Sequence, residues 1–288
     1  MTSLRYGFVL AYGDARTAAE LAELAEQHGW DGFFCWEAIW GIDPWICLSA
    51  AAVRTERIRL GTMLTPLPRR RPWELANQTS TLDNLSGGRV TLSAGLGVAG
   101  QDEFWMFEDD PGRKVRAEMM DEGLEMLQHL WHGKTFDYDG KHYRSRRLDH
   151  DPMPPVAPPP VQQPRIPVWM VGAWPRPKSM RRAARWDGWL PNYAPPGGGQ
   201  GELTPEVLAE AVEWIRKERA GNGLDMSDYD IVMEGNTDPA DPAAAAEKVR
   251  PWSEAGANWW LEADWSDMDP ARARAAAERR LRAGPPRL

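Results

Sequence analysis

Short runs rich in β-branched and aromatic residues alternate with stretches of helical periodicity along the whole chain, and the alternation predicts eight strand–helix pairs. Leu4–Leu10 reads as the first strand. Asp14 then stands where it can cap a helix whose apolar positions are Ala18, Leu21, Ala22, Leu24 and Ala25, with Gly29 just past its end. Gly32–Trp36 and Pro44–Val53 form the second pair. Ile58–Thr65 is the third strand, and Pro72 occupies the first position of a helix reaching about to Leu85. Arg89–Ala94 precedes a glycine-rich loop and the long helix Arg113–Trp131. Later strands are Pro167–Val171, Gly188–Leu190, Tyr229–Glu234 and Asn258–Leu261, followed in turn by helices Pro177–Arg185, Pro205–Glu218, Pro242–Glu254 and Pro270–Arg282. This count favours an α/β fold of the closed (β/α)8 TIM-barrel type, one domain over residues 1–288, above an open doubly wound sheet of about five to seven strands.

The alternation is interrupted by an insertion at about 132–166, between the fourth helix and the fifth strand. It holds a hairpin-like stretch, Phe136–Tyr143, and a proline-rich segment, Pro152–Pro160. A loop of that length inside a compact domain is commonly functional.

Charge and composition narrow the function classes. The 288 residues carry 34 Lys and Arg against 42 Asp and Glu, net −8 and without a basic stripe, which argues against a nucleic-acid partner. No apolar run approaches the roughly 18 residues of a membrane span, and the first residues show no signal-peptide pattern, so a cytoplasmic protein without membrane contact is expected. Cys35 and Cys47, the only two cysteines, lie in apolar surroundings and read as reduced, buried thiols.

In a barrel the reacting groups lie at the C-terminal strand ends. Those ends read Leu10-Ala11-Tyr12, Trp36-Glu37, Met63-Leu64-Thr65, Gly95-Leu96-Gly97, Gly172-Ala173-Trp174, Pro191-Asn192-Tyr193, Glu234-Gly235-Asn236 and Glu262-Ala263-Asp264-Trp265. None contains histidine; His28, His129, His132, His142 and His150 all fall elsewhere. A histidine-bound metal and a Ser-His-Asp site are therefore disfavoured, no metal is expected, and the chemistry must come mostly from a bound cofactor. Gly95 and Gly97 would let a planar ligand approach the backbone, although a plain turn has the same look. Gly172, Ala173, Trp174, Arg176 and Ser179 join a strand to a helix start that suits a phosphate, or else simply open a helix. Arg69-Arg70-Arg71 is either an anion-binding run or a solvated edge. Glu37 is either a ligand-orienting carboxylate or half of a structural ion pair.

The third and fourth strands carry a recognisable text: Leu60-Gly61-Thr62-Met63-Leu64-Thr65-Pro66-Leu67 with Arg71-Pro72, then Thr81-Leu82-Asp83-Asn84-Leu85-Ser86-Gly87-Gly88-Arg89-Val90, then Gly95-Leu96-Gly97. With Gly29-Trp30-Asp31-Gly32-Phe33-Phe34 and Gln163-Pro164-Arg165-Ile166-Pro167-Val168-Trp169, the chain resembles the bacterial luciferase-like superfamily of flavin- and deazaflavin-dependent oxidoreductases. The resemblance implies a barrel whose mouth holds the flavin or deazaflavin ring, usually in a homodimer, with a non-proline cis peptide at Met63-Leu64. It places the cofactor against Met63, Leu64, Thr65, Gly95 and Gly97, and its phosphate at Gly172, Ala173, Trp174, Arg176 and Ser179. The insertion corresponds to the family's mobile segment near the substrate.

One departure bears on mechanism. Many relatives follow the acidic residue of the second strand with a histidine that assists at the flavin, whereas this chain reads Glu37-Ala38. Proton transfer through an imidazole is unavailable there. The expected activity is accordingly a monooxygenase using reduced FMN from a separate flavin reductase on a small or medium organic substrate. Glu37 is its catalytic candidate, and Trp36, Trp40, Trp105 and Asn192 its substrate contacts. The alternatives are hydride transfer with the deazaflavin coenzyme F-420, whose acidic tail Arg69-Arg70-Arg71 would meet, and a non-catalytic flavin-binding barrel.

Overall fold

The computed structural model describes residues 4–98, 105–150, 158–198, 201–266 and 269–288. Eight strands form the barrel: β1 Arg5–Leu10, β2 Gly32–Cys35, β3 Arg59–Thr62 with a continuation at Thr65–Pro66, β4 Val90–Gly95, β5 Val168–Trp174, β6 Gly188–Tyr193, β7 Asp230–Gly235 and β8 Trp259–Glu262. All neighbours are parallel, and β1 closes on β8 through Arg5↔Trp259 to Phe8↔Glu262. β3 meets β4 in two registers, Leu60↔Val90 below its break and Thr65↔Ala94 above it. The break holds the cis peptide Met63-Leu64 that the resemblance implies.

The helices are α1 Ala15–Gln27, α2 Pro44–Ala52, α3 Pro72–Ser86, α4 Arg113–Trp131, α5 Pro177–Ala184, α6 Pro205–Gly221, α7 Pro242–Glu254 and α8 Pro270–Arg282. Six of them, α2, α3, α5, α6, α7 and α8, open on proline, whose missing N–H costs nothing in the first turn. Asp14, Asp43, Thr204, Asp241 and Asp269 cap five of the helices by accepting from first-turn N–H groups. β5 and β6 run three residues beyond the sequence expectation. Gly172, Ala173 and Trp174, which read as a turn, stay on the ladder opposite Pro191, Asn192 and Tyr193.

The barrel interior is filled by side chains, as an eight-stranded barrel requires. Val9, Phe34, Trp169, Leu190, Val232, Trp259 and Leu261 form this inner core. Phe34 stacks on Trp169 at 5.2 Å between ring centres, and Trp169 meets Trp259 at 5.3 Å. At the N-terminal end Asp230 accepts from Trp169 Nε1 at 2.9 Å and pairs with Arg5, whose guanidinium lies 4.6 Å over the Trp259 ring. A larger apolar layer, including Leu21, Leu48, Leu75, Leu124 and Leu208, packs the helices onto the outside of the sheet. Cys35 and Cys47 are both free and buried within it.

In the insertion, Tyr138–Asp139 pairs antiparallel with Arg144–Ser145, as the hairpin reading expected. Glu122 of α4 accepts the N–H groups of Lys141, His142 and Tyr143, and Glu125 accepts the Tyr138 hydroxyl. This hairpin is therefore fastened to the flank of α4. Part of the proline-rich segment Pro152–Pro160 lies outside the described residues. Among those described, no helix is long and apolar enough to cross a membrane, and no group of acidic, histidine or cysteine side chains could hold a metal ion.

Candidate active site

A cavity of about 470 Å³ opens at the C-terminal ends of the strands. One wall is the break in β3, where Met63 and Leu64 border the space. Leu64 lies against Gly95: a Cβ added there would come within 2.8 Å of Leu64 Cδ1 and 3.2 Å of Val171. Glycine is what lets leucine lie flat on the next strand. Gly97, at φ +76°, takes the left-handed turn that follows. The carbonyls of Leu96 and Gly97 are held by Arg116 Nη1 at 3.2 and 3.0 Å, and Arg116, only 1% exposed, also pairs with Asp110 at 3.1 Å.

The opposite wall joins β5 to α5. Ser179 Oγ accepts the Ala173 N–H at 2.9 Å, and the Arg176 N–H donates to the Ala173 carbonyl at 2.7 Å. Both backbone groups of Ala173 are thereby satisfied within the protein. Ser179 borders the cavity, as does Arg182 one turn further along α5, bonded to Asp121 at 2.8 Å. With Arg113 and Arg116 of α4, Arg182 makes this side of the cavity cationic.

Two carboxylates face the space from other strands. Glu37, just after β2 and 5% exposed, accepts from Arg70 Nε and from Thr65 Oγ1, each at 2.7 Å, so both its oxygens are committed. Burial pushes its pKa up, while the Arg70 guanidinium and the Thr65 hydroxyl pull the other way. Glu234, at the end of β7, borders the cavity and is exposed at its mouth, and the neighbouring rim raises its carboxyl pKa by desolvation. Its Oε1 accepts from Trp265 Nε1 at 2.6 Å.

Of the sequence candidates, Trp36, Glu37, Met63, Leu64, Gly95, Gly97, Ala173, Ser179 and Asn192 border this cavity. The others stand elsewhere. Thr65 is fully buried behind Glu37. A Cβ on Gly172 would come within 2.6 Å of Trp189 Nε1, so this glycine serves an indole in the core. Trp174 packs edge-on against Trp214 at 6.1 Å, and Arg176 reaches the Pro195 carbonyl at 3.5 Å. Trp40 stands away from this cavity, 75% exposed and stacked on Phe107 at 5.5 Å. Trp105 has Arg69 and Arg116 over its ring at 5.8 and 5.3 Å. In the arginine run, Arg70 is engaged by Glu37, Arg69 is half-buried, and Arg71 is exposed over Trp73. Arg113, Arg116 and Arg182 also border the cavity, outside the candidates that the sequence offers, and so do Glu234 and Trp265 from the strand ends it shows.

A smaller cavity of about 190 Å³ lies between β1, β8 and α8. Its carboxylate, Glu262, receives Thr237 N–H at 2.9 Å, the Thr237 hydroxyl, and Trp260 Nε1 at 3.0 Å, so it holds the loop after β7.

The family model for luciferase-like monooxygenases matches residues 6–286. An F-420-dependent glucose-6-phosphate dehydrogenase from Nocardia farcinica is 31% identical over 274 residues, which span 91% of this chain and 76% of the relative. Among solved structures, the coenzyme F-420-dependent tetrahydromethanopterin reductase of Methanopyrus kandleri superposes with a TM-score of 0.73 over 98% of this chain and 97% of its own, at 18% identity. The oxygenating constituent of 3,6-diketocamphane monooxygenase from Pseudomonas putida, a type II Baeyer-Villiger enzyme in complex with FMN, also reaches 0.73, over 99% of both chains and again at 18% identity. At that identity the two structures bear on the fold alone.

Proposed function

The chain belongs to the luciferase-like monooxygenase family, and from that premise we propose that this flavin- or deazaflavin-dependent oxidoreductase uses coenzyme F-420 and transfers hydride to or from a small organic substrate. The observation that carries the choice of cofactor is the 31% identity, over 91% of the chain, to an enzyme named as F-420-dependent. The FMN-dependent monooxygenase expected from sequence rests on structural likeness at 18% identity and takes second place.

The residues present fit such a group. A volume of about 470 Å³ lies within the ordinary range for ligand sites, about 300–1,000 Å³. Met63, Leu64 and Gly95 give a flat apolar wall for a tricyclic ring, while Arg113, Arg182 and Ser179 offer cations and a hydroxyl to an anionic tail. The bound cofactor would supply the two-electron step. The protein would supply orientation, exclusion of water by Trp36 and Trp265, and charge neutralisation along α4 and α5.

Titration of the purified protein with F-420, oxidised FMN and anaerobically reduced FMN is expected to show F-420 binding at least about tenfold more tightly, a preference of about 1.4 kcal/mol. Tighter binding of reduced FMN would restore the monooxygenase reading. Gly95→Ala is expected to weaken F-420 binding about tenfold, because the new methyl pushes Leu64 into the ring's place. Calorimetry of the same variant should show little change in unfolding temperature. Unaltered affinity would remove Gly95 from the cofactor wall.

A further inference from the structure

We propose that Glu234 is the group that exchanges a proton with the substrate in this cavity, with Trp265 as the positioning residue that holds its carboxyl. The proposal rests on the reading of the cavity as the substrate site, and four observations lead to it.

The residue after Glu37 is Ala38, whose methyl can neither accept nor donate a proton. Glu37 is poorly suited, since taking a proton means giving up Arg70 or Thr65, each at 2.7 Å. Glu262 is held in the same way by Thr237 and Trp260. Glu234 differs from both: Trp265 Nε1 occupies Oε1, and among the described residues nothing donates to Oε2. The indole is itself fixed, meeting Trp36 edge-on at 5.5 Å and 77°.

The charged groups that share the cavity with Glu234 are Glu37, Arg113, Arg116 and Arg182. Three of them are engaged, Glu37 by Arg70, Arg116 by Asp110 and Arg182 by Asp121. On the other side of β7, Glu234 borders a space lined otherwise by Met63, Leu190, Pro191, Leu203, Trp252 and neighbouring β7 residues, all uncharged. With no cation paired to it among the described residues, desolvation raises the Glu234 pKa above the ordinary carboxylate value. A carboxyl raised in this way holds a proton more readily than an ordinary glutamate and is the best suited of the three to exchange one.

In the oxidative direction a substrate alcohol, H–C–O–H, becomes C=O. The bound cofactor would accept the carbon-bound hydrogen with its electron pair, and Glu234 Oε2 would take the hydroxyl proton. The resulting carboxylic acid returns its proton to water at the barrel mouth. The reductive direction reverses each transfer.

The deciding experiment needs no cofactor. An infrared pH titration of the protein should contain a protonated-carboxyl band with a midpoint above the ordinary glutamate range. Glu234→Gln should remove one component of that band, and the components of Glu37, Asp230 and Glu262, whose carboxyls burial also raises, should remain. Trp265→Phe should move the Glu234 midpoint further up, since the lost N–H had favoured the carboxylate. A band that Glu234→Gln leaves unchanged, or a Glu234 that titrates in the ordinary range, overturns the proposal. Given a substrate on which the wild type turns over, Glu234→Gln should lower kcat by roughly 100-fold to 10,000-fold and flatten the pH profile while leaving F-420 affinity unchanged. A kcat within twofold of wild type also overturns it. Failure of F-420 to bind would count against the cofactor reading and leave the infrared result standing.

Discussion

Replacing Trp169 by alanine is expected to cost about 3–5 kcal/mol of stability, a large part of what a protein of this kind possesses. The indole is fully buried inside the barrel, between the faces and edges of Phe34 and Trp259, and nothing nearby can collapse into the space without moving a strand. Its Nε1 also donates to Asp230, whose pKa burial already raises. Without that donor the Asp230 pKa rises further. The folded state then holds a proton over a wider range than the unfolded chain, so the variant loses stability as pH climbs from the ordinary aspartate range to the raised value. Trp169→Phe keeps most of the ring and isolates the hydrogen bond, with an expected cost of about 1–3 kcal/mol. Urea unfolding at pH 5 and pH 8 measures both; a cost below about 1 kcal/mol for the alanine variant would mean that the inner aromatic layer does not hold the barrel together.

Arg70→Met is expected to cost about 2–4 kcal/mol at pH 8, below the usual loss on breaking a fully buried ion pair because Arg70 remains 26% exposed. The cost comes from Glu37, left charged and nearly buried with only Thr65 as a partner. Its pKa, already raised by burial, rises again once the guanidinium is gone. Between the unfolded and the folded pKa the native state binds the extra proton, so the deficit grows with rising pH and shrinks as pH falls towards the ordinary glutamate range. Adding Glu37→Gln should return most of the loss, because the uncompensated charge is then absent. A double-mutant cycle by denaturant unfolding tests this, and additive losses would show that the pair is not coupled.

Much of the barrel is legible in the sequence, because each βα unit carries its own punctuation. The predicted limits of α7 and α8, Pro242–Glu254 and Pro270–Arg282, coincide with the observed ones, since proline fixes each start after an aspartate cap. β5 and β6 were read short because Gly172 and Pro191 look like turn residues, and their place opposite each other on a ladder is a tertiary fact. Eight site candidates reach the cavity because strand ends converge there whatever their chemistry, and Ser179 reaches it from the first turn of α5. The tryptophans show the limit of that logic. Trp40 and Trp105 lie in mouth loops, and residue type alone does not tell which way a loop side chain turns. Arg116 did leave a signal: with Met120, Gly123, Leu124 and Leu127 it falls on the buried stripe of α4, where an arginine needs a reason. Glu234 and Trp265 stand at two strand ends, but their pairing depends on β7 and β8 lying side by side in register.

The prolines that open six of the eight helices also act before any contact forms. Each removes backbone freedom from the unfolded ensemble at a point where the folded φ is already the one its ring imposes. Such a residue is worth about 0.4–1 kcal/mol, so the six together contribute roughly 2–6 kcal/mol. That contribution corresponds to no packed surface and no hydrogen bond. It resides in the disorder that the denatured chain is denied, and much of the barrel's resistance to heat would therefore survive changes to the loops that adapt its mouth.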